Sequence, residues 1–153
     1  MKSIDELLAR KALTLKFDEL REKFFGELLR KPATRKQAYE LLKKYGAGEF
    51  AERLMREAED SGLIDDAAYA RLFADGHLQW GNLKIAHELS MRGVDSEDIA
   101  IALDEAEDEG KRACELAEFW QKSGIEDRKI QSRLLSRGFT NKAVRYALHR
   151  KDN

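Results

Sequence analysis

The chain has 153 residues, which is enough for one domain or for several small modules. Apolar residues make up 42% and charged residues 37%, a balance that suits a thin helical assembly with much surface better than a compact sphere. The lone Cys114 excludes an internal disulfide, no run approaches the roughly 20 apolar residues of a membrane span, and the N-terminal segment lacks the apolar region of a secretory signal. We therefore expect a cytoplasmic protein.

The net charge of −1 hides an uneven distribution along the chain. Residues 1–60 carry a net charge of +2, residues 61–110 carry −9, and residues 111–153 carry +6. Such asymmetry indicates different partners for different surfaces, although charges that only solvate helices give the same pattern.

The first predicted helix begins at Ser3, whose spacing to Glu6 is that of a capping box. Two apolar stripes follow at helical spacing: Ile4, Leu7, Leu8 and Leu15, then Phe17, Leu20, Phe24 and Leu28. One helix from Ser3 to about Leu29 and two helices with a new start at Asp18 both fit this pattern. Pro32 ends the segment because the residue before a proline is pushed out of helical space.

Two further helices are predicted before residue 65. Thr34 and Gln37 form a second capping box at the start of RKQAYELLKKY, and Gly46 and Gly48 end that helix. The next helix is EFAERLMREAED. Its predicted inward residues are Phe50, Leu54 and Ala58.

Asp65 is a suitable N-cap for the helix that follows it. This helix is predicted to extend to Trp80 and to turn Tyr69, Leu72 and Phe73 inward. The segment WGN then interrupts the chain, and LKIAHELSMR forms another helix that buries Ile85 and Leu89.

Two turns share one sequence skeleton 45 residues apart: MRGVDSEDIAIAL at 91–103 and SRGFTNKAVRYAL at 136–148. In the first copy, Gly93 ends a helix, Asp95 caps the amides of the next helix, and Val94 with Ile99 forms a hydrophobic staple. The matching residues of the second copy are Gly138, Thr140, Phe139 and Val144. Both copies should therefore hold the same helix-pair geometry.

The helices before the two turns match as well. The segment GKRACELAEFW follows DAAYARLF by 44 residues and is predicted to turn Ala113, Leu116, Ala117 and Trp120 inward. A three-helix unit therefore repeats after about 45 residues, which predicts an all-α fold of tandem repeats. The predicted division is a helical extension at 1–18, a degenerate first repeat at 19–64, a second at 65–109 and a third at 110–150.

No motif for catalysis or metal binding is found in the sequence. His77, His87 and His149 lack metal-ligand spacing, and no glycine-rich phosphate-binding loop is present. The run DEAEDEG is typical of a solvated helix end rather than of an acid–base pair. We therefore expect no enzyme activity, no metal and no cofactor.

Basic side chains line one face of each of the last two predicted helices. Lys129, Arg133 and Arg137 are spaced i, i+4, i+8 opposite the apolar residues, and Lys142 and Arg145 lie on the basic face of the next helix. Arginines on one side suit phosphates or an acidic protein surface. The candidate partner-binding residues here are Arg128, Lys129, Arg133, Arg137, Lys142 and Arg145.

Three segments in order, SGLIDDAAYARLF, WGNLKIAHELSMRGVDSEDIAIAL and KIQSRLLSRGFTNKAVRYAL, resemble the RecX family of recombination regulators. The resemblance extends over about residues 19 to 150. It implies three tandem three-helix repeats in an elongated, curved array, and a monomer without enzyme activity. It also implies binding to the RecA recombinase or its filament on DNA, restraint of its ATPase and strand exchange, and a place in homologous recombination, DNA repair and the SOS response.

RecX proteins often carry several arginines where this chain has ADGHLQWGNLK. In this region only Lys84, within that stretch, and Arg71, just before it, match basic positions, and these two residues complete the candidate set. The third repeat is therefore expected to contribute more of the binding surface. A weak or indirect contact with DNA stays open. So do two alternatives: direct DNA binding through helix-turn-helix units, which the net charge of −9 in the middle disfavours, and a helical adaptor for another protein.

Overall fold

The computed structural model describes residues 3–149, and this range contains nine α-helices and no β-strand. The helices are α1 (Ile4–Arg30), α2 (Arg35–Lys44), α3 (Ala51–Asp60), α4 (Asp66–Asp75), α5 (Asn82–Met91), α6 (Ser96–Glu105), α7 (Glu109–Lys122), α8 (Asp127–Ser136) and α9 (Asn141–His149). One compact unit ends at Asp65 and the other begins at Asp66. The predicted all-α repeat fold is confirmed. The curvature of the array and the repeat boundaries stay predictions, and positions 1, 2 and 150 of those boundaries lie outside the described residues.

The first helix is continuous for 27 residues, so the single-helix alternative is the one observed. The hydroxyl of its N-cap, Ser3, accepts a hydrogen bond from the amide of Glu6 at 3.2 Å. The helix ends at Arg30, close before Pro32, as expected from the restriction that proline imposes on the residue before it.

Only the second half of α1 is packed. Phe17, Phe24 and Leu28 are buried in the core of the first unit, whereas every residue from 3 to 16 is exposed. The exposed part includes apolar side chains, with Ile4 74% and Leu8 60% exposed. The first predicted stripe is therefore left uncovered by the rest of the described chain.

Helix α2 contacts both α1 and α3 and completes the core of the first unit. The capping box between Thr34 and Gln37 is confirmed, since both of its hydrogen bonds are present. Leu42, Leu54 and Ala58 are fully buried between the helices.

Helices α4, α5 and α6 contact one another and form the α4–α6 bundle. Two predictions for α4 are wrong: Leu72 is 68% exposed, and Trp80 lies beyond the helix, which ends at Asp75. The helix buries Ala70 and Ala74 instead. Residues two apart differ by about 200° around a helix axis, so Leu72 points away from both alanines.

Helices α7, α8 and α9 contact one another and form the α7–α9 bundle. Its buried residues are Ala113, Ala117, Trp120, Ile130, Leu134, Phe139, Ala143, Val144 and Ala147. The inward face predicted for α7 is therefore confirmed, with Leu116 partly buried against this core.

The two copies of the repeated turn have the same backbone. Gly93 and Gly138 have φ angles of 89° and 85°, a region that favours glycine. The next amide in each copy donates 3.1 Å back into the preceding helix, from Val94 to the carbonyl of Leu89 and from Phe139 to that of Leu134. Both turns therefore end their helices by the same hydrogen-bond pattern.

The predicted hydrophobic staple is present in both turns, but the predicted side-chain cap is present in only one of them. Both staples are confirmed, because Val94 and Ile99 are buried in one bundle and their counterparts in the other. Asp95 stands at the N-cap of α6, but its side chain makes no capping hydrogen bond, so the prediction that it satisfies the helix amides is wrong. The exposed Asp95 carboxylate faces water, whereas the hydroxyl of Thr140 accepts from the amide of Ala143 at 3.2 Å.

Candidate partner-binding site

The α4–α6 and α7–α9 bundles meet at a joint between the start of α5 and the end of α8. The amide of Gly81 donates to the carbonyl of Arg137 at 2.8 Å, and the amide of Leu83 donates to the carbonyl of Gly138 at 3.0 Å. A Cβ added at Gly81 would overlap the backbone of Gly138 and Phe139, so the joint requires glycine there. Carbonyls at the end of one helix thus satisfy amides at the start of another.

Glu109, the first residue of α7, binds both sides of this joint through its carboxylate. Its Oε2 accepts hydrogen bonds from the amides of Asn82 at 2.7 Å and Thr140 at 3.2 Å. Its Oε1 accepts from the hydroxyl of Thr140 at 2.6 Å. Asn82 begins α5 and Thr140 precedes α9, so one negative charge lies at the positive ends of two helices.

Arg112 is the second charged residue of the joint and is only 2% exposed. Its guanidinium donates to the carbonyls of Glu107 at 2.8 Å, Leu78 at 3.3 Å and Trp80, and to the side-chain oxygen of Asn82 at 2.5 Å. Burial lowers the pKa of Arg112 from its ordinary value, and nearby carboxylates oppose that change. These carboxylates belong to Glu109, Glu107 and Asp108. The buried charge is compatible with the fold because its donors are hydrogen-bonded.

The basic row consists of Lys129 and Arg133 on the exposed face of α8 and of the half-buried Arg137 at its C-cap. The opposite face is fully buried through Ile130 and Leu134. The guanidiniums of Arg133 and Arg137 lie over the ring of Trp120, 5.3 and 5.1 Å from its centroid. Within residues 3–149 no carboxylate forms an ion pair with the row, so it presents uncompensated positive charge on a fixed helix.

The equivalent helix α5 has a different charge pattern. Arg92 and Glu88 stand 45 residues before Arg137 and Arg133. The guanidinium of Arg92 pairs with the carboxylate of Glu88 at 2.8 Å, and this hydrogen bond lowers the pKa of Glu88. The first copy therefore neutralises its arginine, whereas the second copy adds another positive charge at the same place.

Two other candidate residues lie close to the basic row. The backbone of Lys84 packs against Gly138, next to Arg137, and its Nζ lies 4.2 Å from the centroid of the Trp80 ring. Arg128 is exposed on α8 beside Lys129. The structure thus brings Lys84 from one bundle to the end of the row in the other.

The remaining three candidates lie on other helices. Arg71 on α4 forms an ion pair with Glu105 at 3.8 Å. Lys142 lines a groove of about 640 Å³ whose wall also contains Asp104 and Asp108. Arg145 is exposed on α9. Arg71 and Lys142 therefore lie near acidic groups, in contrast to the basic row.

Sequence reasoning missed the residues that build the joint. The sequence predicts WGN only as a break between helices and gives Arg112 no role. It places Glu109 in the solvated run DEAEDEG, which is wrong for this residue because its carboxylate accepts three part-buried hydrogen bonds. One signal is available in the sequence, because Arg112 replaces an alanine, Ala68, at the same position of the preceding unit. A charged residue in one copy and a small apolar one in the other indicates a contact that only one copy makes.

The described residues 3–149 contain no group of three His, Cys, Asp or Glu side chains arranged to hold a metal ion. His77 packs between two aromatic rings, 4.1 Å from Phe73 and 4.2 Å from Trp80 by centroid distance. Across the same part of the chain, no helix has the length and apolar content needed to cross a membrane.

The fold and the joint define a protein of tandem three-helix units. Residues 65–103 match the family model described as "RecX, second three-helix domain". Over 102 residues the chain is 38% and 37% identical to the regulatory protein RecX of two strains of Lactobacillus delbrueckii subsp. bulgaricus. These matches include 59% of this chain but only 37% of each relative, so the chain spans little more than a third of their length.

Two crystal structures share this fold. RecX from Lactobacillus salivarius superposes with a TM-score of 0.78 at 22% identity, over 89% of this chain and 96% of that one. A second structure, described as regulatory protein RecX, gives a TM-score of 0.79 at 21% identity, over 100% of this chain and 80% of that one. The chain is thus similar in sequence to RecX proteins over part of its length, and it shares the fold of the two RecX crystal structures.

Proposed function

We propose that this chain binds the RecA recombinase, or its filament on DNA, and restrains its ATPase and strand exchange. The chain acts by binding and catalyses no reaction of its own. This role belongs to homologous recombination, DNA repair and the SOS response, and we propose that it is carried out by a monomer in the cytoplasm. The relatives are named only as regulatory proteins RecX. RecA binding, restraint of its ATPase and these cellular roles are therefore proposals for this chain.

The observation that carries this proposal is the basic row on α8. It offers arginines without carboxylate partners among the described residues, held over Trp120 on a helix whose other face is buried. A filament of recombinase on DNA is polyanionic, and an uncompensated basic strip attracts such a partner over a distance set by the ionic strength. The contrast with the neutralised pair on α5 supports a partner for α8 in particular.

The direct test follows ATP hydrolysis by RecA on single-stranded DNA while this protein is added. We expect hydrolysis to fall and the protein to sediment with the filaments. Unchanged hydrolysis at saturating protein, together with no co-sedimentation, would contradict the proposal.

A second test locates the surface on the molecule. Reversing Arg133, Arg137 and Arg145 to glutamate should weaken co-sedimentation more than reversing Arg71 and Lys84, because the α8 arginines lack acidic partners and Arg71 already has Glu105. The opposite order would move the interface to the α4–α6 bundle. Binding to bare single-stranded DNA that falls steeply with salt would instead favour direct DNA binding.

A further inference from the structure

We infer that Glu109 is a positioning residue for partner binding: it keeps Lys84 beside Arg137, so that one cationic surface crosses from α5 to α8. This inference rests on the proposed function, because the surface in question is the one assigned there to the filament. It adds a residue that touches no partner itself and acts through the geometry of the joint.

The joint brings the two cations to the same short segment of chain. The guanidinium of Arg137 lies 3.5 Å from the backbone and side-chain oxygens of Gln79. The ammonium of Lys84 lies over the ring of the next residue, Trp80. Because the backbone of Lys84 also packs against Gly138, the two side chains start from adjacent backbone and end around residues 79–80.

This convergence of like charges costs electrostatic energy. Arg133, Arg137 and Lys84 repel one another, and no carboxylate of residues 3–149 forms an ion pair with any of them. The hydrogen bonds of the joint hold the cations together despite this repulsion. An anionic partner placed over all three removes the repulsion, so the arrangement favours the bound state over the free one.

Glu109 is the part of the joint that a mutation can remove without touching the cationic surface. Its carboxylate accepts from Asn82 and Thr140, and it lies on α7. Replacing it by alanine leaves the amides of Asn82 and Thr140 without that acceptor. The backbone bonds of Gly81 and Leu83 remain, but the start of α5 is held less firmly against the α7–α9 bundle, so Lys84 spends less time beside Arg137.

The test is a double-mutant cycle measured as affinity for RecA filaments on single-stranded DNA. In the wild-type background, Lys84→Ala should weaken binding about twofold to fivefold, the range of one surface ion pair. In a Glu109→Ala background, the same change should have a clearly smaller effect, because Lys84 is no longer held beside Arg137. Lys129→Ala, near the end of α8 that lies away from the joint, is the matched control and should weaken binding by the same factor in both backgrounds.

Glu109→Gln is the conservative variant, since its amide oxygen still accepts from Asn82 and Thr140. It should restore most of the affinity lost in Glu109→Ala. In the Glu109→Gln background, Lys84→Ala should again weaken binding as it does in the wild type. The amides of Gly81 and Leu83, which donate across the joint, should exchange with solvent faster in Glu109→Ala while the core amides stay protected. Where Glu109→Ala does not fold, Thr140→Val takes its place in the cycle; it removes the hydroxyl hydrogen bond to Glu109 together with the cap of α9 and leaves both amide bonds to Glu109 in place.

The outcomes separate this inference from the proposed function. An equal loss from Lys84→Ala in both backgrounds, or no loss in the wild type, overturns the positioning role while the basic row can still bind. If Arg133→Ala and Arg137→Ala also bind the filament as tightly as the wild type, the proposed surface itself is wrong.

Discussion

The two copies of the repeated turn differ in what surrounds them rather than in their own backbone. Around Gly93 the cap residue is exposed and makes no side-chain hydrogen bond, and the arginine pairs with a glutamate. Around Gly138 the cap residue binds Glu109, the glycine packs against Lys84, and the arginine lies over Trp120. The first turn thus serves only its own bundle, whereas the second also joins two bundles and carries the basic row.

This difference shows how a repeated unit can gain a separate role. The residues that form the turn are shared, so both copies fold in the same way. The residues that join the second turn to the other bundle, Glu109 and Arg112, lie outside the turn, on α7. Within residues 3–149, the first copy has no counterpart of this contact. Substitutions at shared positions should therefore have equal effects in both copies, and substitutions at the other positions should not.

The largest expected effect tests the shared part. Leu89 and Leu134 stand at the same position of the two copies, and both are fully buried. Leu89→Ala and Leu134→Ala should each lower the free energy of unfolding by about 2–5 kcal/mol in denaturant titrations, because each creates a cavity. The exposed Leu72→Ala is the control, with a change of about 0.5 kcal/mol or less. A loss under about 1 kcal/mol for only one of the two leucines would show that the copies do not pack alike.

The next effect tests the caps. Thr140→Val removes the cap of α9 and the hydrogen bond to Glu109, so the free energy of unfolding should fall by about 1–3 kcal/mol. Asp95→Ala removes a side chain without a capping bond and should change it by about 0.5 kcal/mol or less. Both are measured by thermal and denaturant unfolding. Equal losses would mean that Asp95 caps its helix in solution.

A smaller effect concerns binding. Arg133→Glu gives α8 the Glu–Arg pair of α5, and it should weaken filament binding about fivefold with little change in stability. Glu88→Arg gives α5 the charges of α8, but residues 61–110 carry a net charge of −9, so the new arginine lies in acidic surroundings that disfavour an anionic partner. Its affinity should stay within about twofold of the wild type. A matching gain from Glu88→Arg would mean that charge alone, and not its surroundings, determines binding.

The smallest effect is the pH dependence of the pair in the first copy. The hydrogen bond from Arg92 lowers the pKa of Glu88 in the folded state. The pair's contribution to stability is therefore complete above the pKa of Glu88 in the unfolded chain and is lost as the pH falls through the lower folded value. NMR titration should show the pKa of Glu88 returning toward its ordinary value in Arg92→Ala and unchanged in Arg137→Ala. An unchanged titration in Arg92→Ala would exclude the pair in solution.

Much of the fold follows from local patterns. The capping box at Thr34, the glycines at 93 and 138 and the apolar stripes of α5 and α8 depend on residues within one or two turns of each other, so the sequence predicted them. Leu72 was misplaced because small residues, Ala70 and Ala74, form the buried side of α4, and alanines give a weak apolar signal beside a leucine.

The candidate site was only partly predictable. The spacing of Lys129, Arg133 and Arg137 predicted a basic face, since helical periodicity fixes it. The joint was not predictable, because its hydrogen bonds connect residues about 30 to 60 positions apart and depend on how two bundles approach. Lys84 therefore appeared as a residue of the middle repeat, although it lies at the end of the row.

The two halves of α1 are stabilised in different ways, one by core packing and the other only by its own helix propensity and N-cap. Residues from about 17 onward share a core, so they unfold together with the first unit. Residues 3–16 have no such support, and a helix of this length is marginal in water by itself. Its helicity is governed by helix–coil statistics: it falls gradually with temperature and depends on the Ser3 cap. One continuous helix therefore melts in two steps, the first gradual and the second cooperative.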